Sequence, residues 1–240
     1  MSELSIVIPI LNEAKNILRL IPEINKVKKK IKINKFEILL IDDNSYDHIN
    51  KVVTKLKKKI PYLKLYIRKN KKRDLSKSCI DGFNIAKYKN ILVMDGDLQH
   101  PPQYIIKLYH VFINQKCDLV VGSRDLLKRE NQGLSSIRKL FSIILIIIIN
   151  SLLGNKTRDP MSGFFIFKKK IFTKNKNRLF SGGYKILADL IYSSKDSLKI
   201  KDVPIKFYRR ISGKSKMSFS ILIILIYFIF TRYVNKIVNH

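Results

Sequence analysis

A mixed, mainly parallel sheet with helices on both faces is the α/β fold class this 240-residue sequence predicts. Three observations predict it. Short β-rich apolar runs alternate with stretches of helical spacing through the first half of the chain. The runs are continuously apolar, as strands covered on both faces are. Each run stops in a polar cluster, and open sheets of this kind bind ligands beyond the carboxyl ends of their strands.

The elements follow in order. "LSIVIPIL" (4–11) is the first strand, and Ile17, Leu20, Ile21 and Ile24 give the next stretch a helical stripe. "FEILLID" (36–42) is the second strand, ended by the turn and cap formers of "DDNSYD". A helix over 46–59 leads to the strand "YLKLYIR" (62–68). After another helical stretch come the strand "NILVMD" (90–95), a helix beyond "HPP", and the strand "CDLVVGSR" (117–124). The strand ends therefore carry "PILNE", "DDNS", "DGD" and "GSR".

The second half differs in character. "LFSIILIIIINSLLG" (140–154) is almost wholly apolar, "FFIF" (164–167) reads as a strand, "GYKILADLIYSS" as a helix and "IKDVPIKFYRR" (200–210) as extended. "MSFSILIILIYFIFT" (217–231) is again uncharged and apolar. Neither apolar run reaches the roughly 20 residues of a bilayer span. The first is either a buried core helix or, flanked by "SSIRK" and "NKTR", an interfacial helix over 136–154. The division expected is a domain over 1–216 followed by a membrane-associating segment over 217–240.

Composition excludes disorder and collagen, with 46% hydrophobic and 28% charged residues. Lys and Arg number 48 against 18 Asp and Glu, a formal charge of +30. That excess suits an acidic membrane surface or a nucleic acid. The crowding of Lys, Ile and Asn along the whole chain points equally to compositional drift. No nucleic-acid motif occurs and the cations are spread over nearly every helix, so no nucleic-acid partner is expected. Cys79 and Cys117 match no metal spacing and suit a reducing compartment. "MSELSIVIPI" offers neither the basic start nor the cleavage site of a signal peptide.

In so basic a chain, "VMDGDLQHPP" places two acids at the end of a buried strand. In an extended segment Asp95 and Asp97 point the same way, with Gly96 between them. Two unpaired carboxylates repel, and a divalent cation resolves the conflict. Mg²⁺ or Mn²⁺ takes hard oxygen ligands, and the Gln99 amide offers one more. A D-x-D alone is more often a turn with a helix cap. An EF-hand fails because His100 stands where its glycine belongs, and "SGKSK" is no P-loop because Tyr208 holds the first glycine position.

Seven blocks in order, "SIVIPILNE", "ILLIDDNS", "VMDGDLQHPP", "LVVGSR", "DPMSGFFIF", "GYKILADL" and "VPIKFYRRISGKSKM", span residues 5 to 217. Together they resemble family 2 glycosyltransferases of the GT-A fold, in the branch of polyprenyl- and dolichyl-phosphate mannosyltransferases. The resemblance implies that Pro9, Leu11 and Glu13 line a nucleotide pocket with Ile41 and Asp43. Asp95 and Gly96 would touch the donor nucleotide, and Asp97 and Gln99 would ligate the metal. Arg124, Arg210 and Lys216 would supply cations to the donor diphosphate and acceptor phosphate. Asp95, Asp97 and Arg124 would carry the catalysis, with Asp159, Ser162 and Gly163 shaping the acceptor side. Pro9 also reads as a strand end and Glu13 as a helix cap.

The implied reaction moves a hexose, mannose from GDP-mannose, to a polyprenyl phosphate with inversion, the alternative donor being UDP-glucose or another UDP-sugar. A glycan acceptor is the alternative. A lipid phosphate is already anionic, so no general base is required and His100 can be structural. Leu11 stands where an aromatic is common in such enzymes, Gly96 for Ala, Asp74 for a Gly, and Lys214 for the Glu of a "GESK" block.

Overall fold

The computed structural model describes residues 3–31, 33–124, 136–180, 182, 185–194, 197–208, 231 and 233. Its seven-stranded sheet comprises β1 (Glu3–Ile10), β2 (Lys35–Asp42), β3 (Leu63–Ile67), β4 (Asn90–Val93), β5 (Leu119–Arg124), β6 (Phe165–Lys168) and β7 (Ile200–Ile205), in the order β3-β2-β1-β4-β6-β5-β7. The β1 pairings with β2 and β4 are parallel, as are β2 with β3 and β5 with β7. Only β6 runs against its neighbours, pairing antiparallel with β4 and β5. The direction of progress along the sheet reverses between β1 and β4. That reversal opens a crevice at the carboxyl ends of these two strands.

The helices are α1 (Ala14–Ile31), α2 (Ile49–Lys57), α3 (Leu75–Ile85), α4 (Tyr104–Asn114), α5 (Ser136–Leu153), α6 (Lys169–Asn175) and α7 (Ile186–Ser193). Strand alternation sorts the core into two layers. Ile6, Ile8 and Ile10 of β1 pack with α1, α2 and α4, while Val7 packs on the other face with α3, α5, α6 and α7. The expected strands and helices are present, and α6 is an element the spacing does not announce.

Helix α5 buries Ile149, Leu152 and Leu153, yet Ile144 is 44% and Ile147 63% exposed. Its Ser151 hydroxyl meets that of Tyr233. No helix among the described residues is long and apolar enough to cross a membrane. Arg210, Lys216 and the expected segment 217–240, apart from Thr231 and Tyr233, lie outside the described residues. Both cysteines are buried free thiols.

Candidate active site

The loop leaving β1 is laced to the loop leaving β2. Asn12 adopts a left-handed backbone, its N–H donates to Ser45 Oγ at 2.7 Å, and its Oδ1 accepts from the Tyr46 N–H at 3.1 Å. Asp47 Oδ2 accepts from the Ala14 N–H at 2.7 Å, so the neighbouring loop caps α1. Glu13, at the same helix start, accepts from Asn16 Nδ2 at 2.6 Å. A cleft of about 250 Å³ lined by Asn12, Glu13, Ala14, Lys15, Asn16 and Asp47 opens here, and it includes none of the β4 carboxylates.

Pro9 and Ile41 are register partners on β1 and β2. Ile41 is fully buried beneath α3, where Gly82 leaves room for it. Leu11 is half-buried just past β1. Asp43 is nearly buried and its carboxylate has two internal partners, the Arg68 guanidinium and the Asp74 N–H at 2.7 Å.

The segment after β4 is not extended, so the expected alternation of Asp95 and Asp97 is not what arranges them. Strand β4 ends at Val93 and the chain turns through 96–97, with Leu98 in the left-handed region. Asp97, at 3% exposure, closes this turn by accepting from the Gln99 N–H at 3.1 Å. The Asp95 side chain stays one-third exposed, at 33%. Gln99 is held to the chain beyond β7: its Nε2 donates to the Tyr208 carbonyl at 3.0 Å, and the Tyr208 N–H returns to the Gln99 carbonyl at 3.1 Å. A Cβ on Gly96 would lie 2.9 Å from Ile10 Cγ2, so packing against β1 keeps this position small.

At the end of β5, Arg124 and Asp159 form a two-pronged pair, Nε to Oδ2 at 2.6 Å and an η-nitrogen to Oδ1 at 2.9 Å. The Arg124 N–H also donates to Asp159 Oδ2 at 3.2 Å. Asp159 is fully buried. Although burial raises a carboxyl, Arg124 overcomes this and holds Asp159 below the usual range. The Ser162 hydroxyl donates to the Gly122 carbonyl at 2.7 Å, tying the loop to β5. A Cβ on Gly163 would sit 2.6 Å from Asp95 Oδ2, so the loop passes directly against that carboxylate. Asp159 thus meets Arg124, Gly163 meets Asp95, and Ser162 ties the loop between them to β5.

The guanidinium of Arg124 also lies 5.3 Å from the centre of the Phe207 ring. His100 is 1% exposed, with its ring stacked on Phe164 at 5.3 Å and tilted against Phe207 at 5.2 Å. Burial, with Arg124 adding repulsion, pushes its pKa down to about 3, so the imidazole is neutral at physiological pH. The ring is thus buried, neutral and clamped by aromatics.

Lys185, at the start of α7, is a residue the sequence reading passed over. Crowding by protein, with Arg124 beside it, pushes its pKa down to about 8 against the pull of Asp159 and Asp95. It belongs to the field of the same cluster. Its only signal was membership of the "GYKILADL" block.

Among the described residues no group of three or more His, Cys, Asp or Glu is arranged to hold a metal. Asp97 and Gln99 still suit a Mg²⁺-like ion. Such an ion takes hard oxygens, few of them from protein and the rest from phosphate and water.

The mainly parallel seven-stranded sheet with helices on both faces is a GT-A-like fold. The chain belongs to glycosyl transferase family 2, whose pattern matches residues 5–175. It is 33% identical over 217 residues to a dolichol-phosphate mannosyltransferase of Pyrococcus furiosus, covering 90% of this chain but only 59% of that relative. It is 30% identical over 232 residues to a dolichol-phosphate mannosyltransferase of Saccharomyces cerevisiae, covering 92% of this chain and 83% of the relative. In fold it is similar to glucosyl-3-phosphoglycerate synthase of Mycobacterium tuberculosis, crystallised with Mn²⁺, UDP and glucosyl-3-phosphoglycerate. That likeness has a TM-score of 0.69 at 16% identity, over 98% of this chain and 79% of the other.

Proposed function

We propose that this chain transfers mannose from GDP-mannose to the phosphate of a polyprenyl (dolichyl) lipid, with inversion at the anomeric carbon, at the cytoplasmic face of a membrane. The observation that carries this reading is the gathering of Asp95, Asp97, Gln99 and the Arg124–Asp159 pair beyond β4 and β5. The names of the Pyrococcus and yeast relatives support the sugar and the acceptor.

In this reading Asp97 and Gln99 hold a Mg²⁺ or Mn²⁺ ion, and the Mn²⁺ and UDP bound by the mycobacterial synthase support a divalent cation. When bound, the ion neutralises charge developing on the diphosphate as the glycosidic bond breaks. Pro9, Leu11, Glu13, Ile41 and Asp43 line the nucleotide side, with Asp95 and Gly96 against the donor. Arg124, fixed by Asp159, presents a permanent cation to the phosphates. Arg210 and Lys216 add to it. Asp159, Ser162 and Gly163 shape the acceptor side. An oxygen of the lipid phosphate forms the new bond to the anomeric carbon and the nucleoside diphosphate departs. The acceptor is already an anion, so no side chain has to take a proton from it.

The transferase domain is 1–216, and the acceptor is reached from an acidic membrane surface. The exposed Ile144 and Ile147 of α5 and the +30 charge support an interfacial role for 136–154 and membrane association by 217–240. The test is transfer of radiolabelled sugar from GDP-mannose and from UDP-sugars into organic-extractable product, with polyprenyl phosphate and Mg²⁺ or Mn²⁺. Labelling from GDP-mannose is expected. Turnover of UDP-sugars alone overturns the mannose assignment, and labelling of a glycan without lipid product overturns the acceptor.

A further inference from the structure

Arg68 is among the largest fully buried side chains in the protein, yet no step of the proposed chemistry uses it. A guanidinium taken out of water is costly unless its donors are matched by acceptors. Here Nε donates to Asp81 Oδ2 at 2.8 Å, and one η-nitrogen reaches Asp43, Ser78 Oγ at 3.1 Å and the Asp74 carbonyl at 3.4 Å. Its backbone N–H donates to the Asp42 carbonyl at 2.9 Å, fixing it beside the end of β2.

These contacts meet at one place. Asp43 and Asp74 both stand at the carboxyl end of the β2 side of the sheet, and the Asp74 N–H closes a ring by donating to Asp43 Oδ2 at 2.7 Å. The Asp74 side chain caps α3 through the Lys77 N–H at 2.9 Å. The φ of −164° at Asp74 is ordinary extended backbone, so the Asp standing where related sequences carry Gly is unstrained. It adds a cap to the same unit. Core packing alone would not need a charge here; a hydrophobic residue of similar volume fills such a space as well or better. What the charge does is fix the direction of Asp43 and the first turn of α3.

We propose that Arg68 is a positioning residue for the donor: it locks Asp43, Asp74 and Ser78 into one rigid wall against which the nucleoside is received. This rests on the reading of Asp43 as lining the nucleotide pocket. A wall set before binding spares the donor the cost of ordering it, so its loss shows in nucleotide affinity more than in the chemical step.

The test compares Arg68→Met, Arg68→Lys and Asp43→Asn with the wild type. The readouts are GDP and UDP affinity by calorimetry, KM and kcat for the donor, and thermal melting. Arg68→Met is expected to weaken nucleotide binding and raise donor KM about tenfold or more with kcat within about threefold. Arg68→Lys keeps the charge but not the planar fork, and is expected to fall between. Unchanged nucleotide affinity and KM in folded Arg68→Met overturns the inference, as does a loss confined to kcat. Should Arg68→Met fail to fold, Arg68→Lys decides, and wild-type affinity in it overturns the inference. Asp43→Asn separates the two readings. Normal nucleotide binding by Asp43→Asn removes Asp43 from the donor pocket, whereas impaired binding beside a normal Arg68→Lys refutes Arg68 alone.

Discussion

Asp159 reaches no solvent, and its value to the site is the orientation it gives Arg124. Truncating it leaves a nearly buried guanidinium without its two-pronged partner. Asp159→Ala is expected to destabilise the fold by about 3 kcal/mol in urea denaturation and to depress transfer strongly. Lys185 gives a pH signature. Its pKa of about 8 lies below the ordinary 10.5. Between those values the folded side chain is neutral while the unfolded one is protonated, so its contribution to stability improves as pH rises through that window. The cation it offers to an anionic ligand is lost over the same rise. The kcat/KM profile is therefore expected to fall as pH passes about 8, and Lys185→Met should lack that alkaline limb.

At the scale of elements, close approach sets the site. Helix α3 packs over β1 and β2 at Gly82, where a Cβ would lie 2.4 Å from Val7 and 3.1 Å from Ile41. Gly82→Ala is expected to cost about 1–3 kcal/mol of stability and to shift the end of β2, read as a lowered melting temperature together with a raised donor KM. The strands were legible because buried strands are written as uninterrupted apolar runs, of which "FEILLID" is one. The direction of β6 was not. The chain enters β6 from the site end, through the Asp159–Gly163 loop pinned to β5, and no local signal in "FFIF" records that. The turn at 96–97 was equally hidden, since it depends on Leu98 adopting a left-handed backbone.

Across the whole molecule, the acids at strand ends were readable because they break a basic composition. Arg68 and Lys185 were not, being two cations among 48 whose roles come only from what surrounds them in three dimensions. The segments that follow β4 and β7, more than a hundred residues apart, meet through the bonds between Gln99 and Tyr208. A net charge of +30 over the whole chain favours anionic ligands in general, so charge alone does not test the account. The direct measurement is mannose transfer from GDP-mannose into polyprenyl phosphate, with Mg²⁺ or with chelator, by the wild type and Asp97→Ala. The account predicts lipid-linked label only with the cation, and a loss of about a hundredfold or more in a variant that still folds. Full transfer in chelator, or by Asp97→Ala, would contradict it.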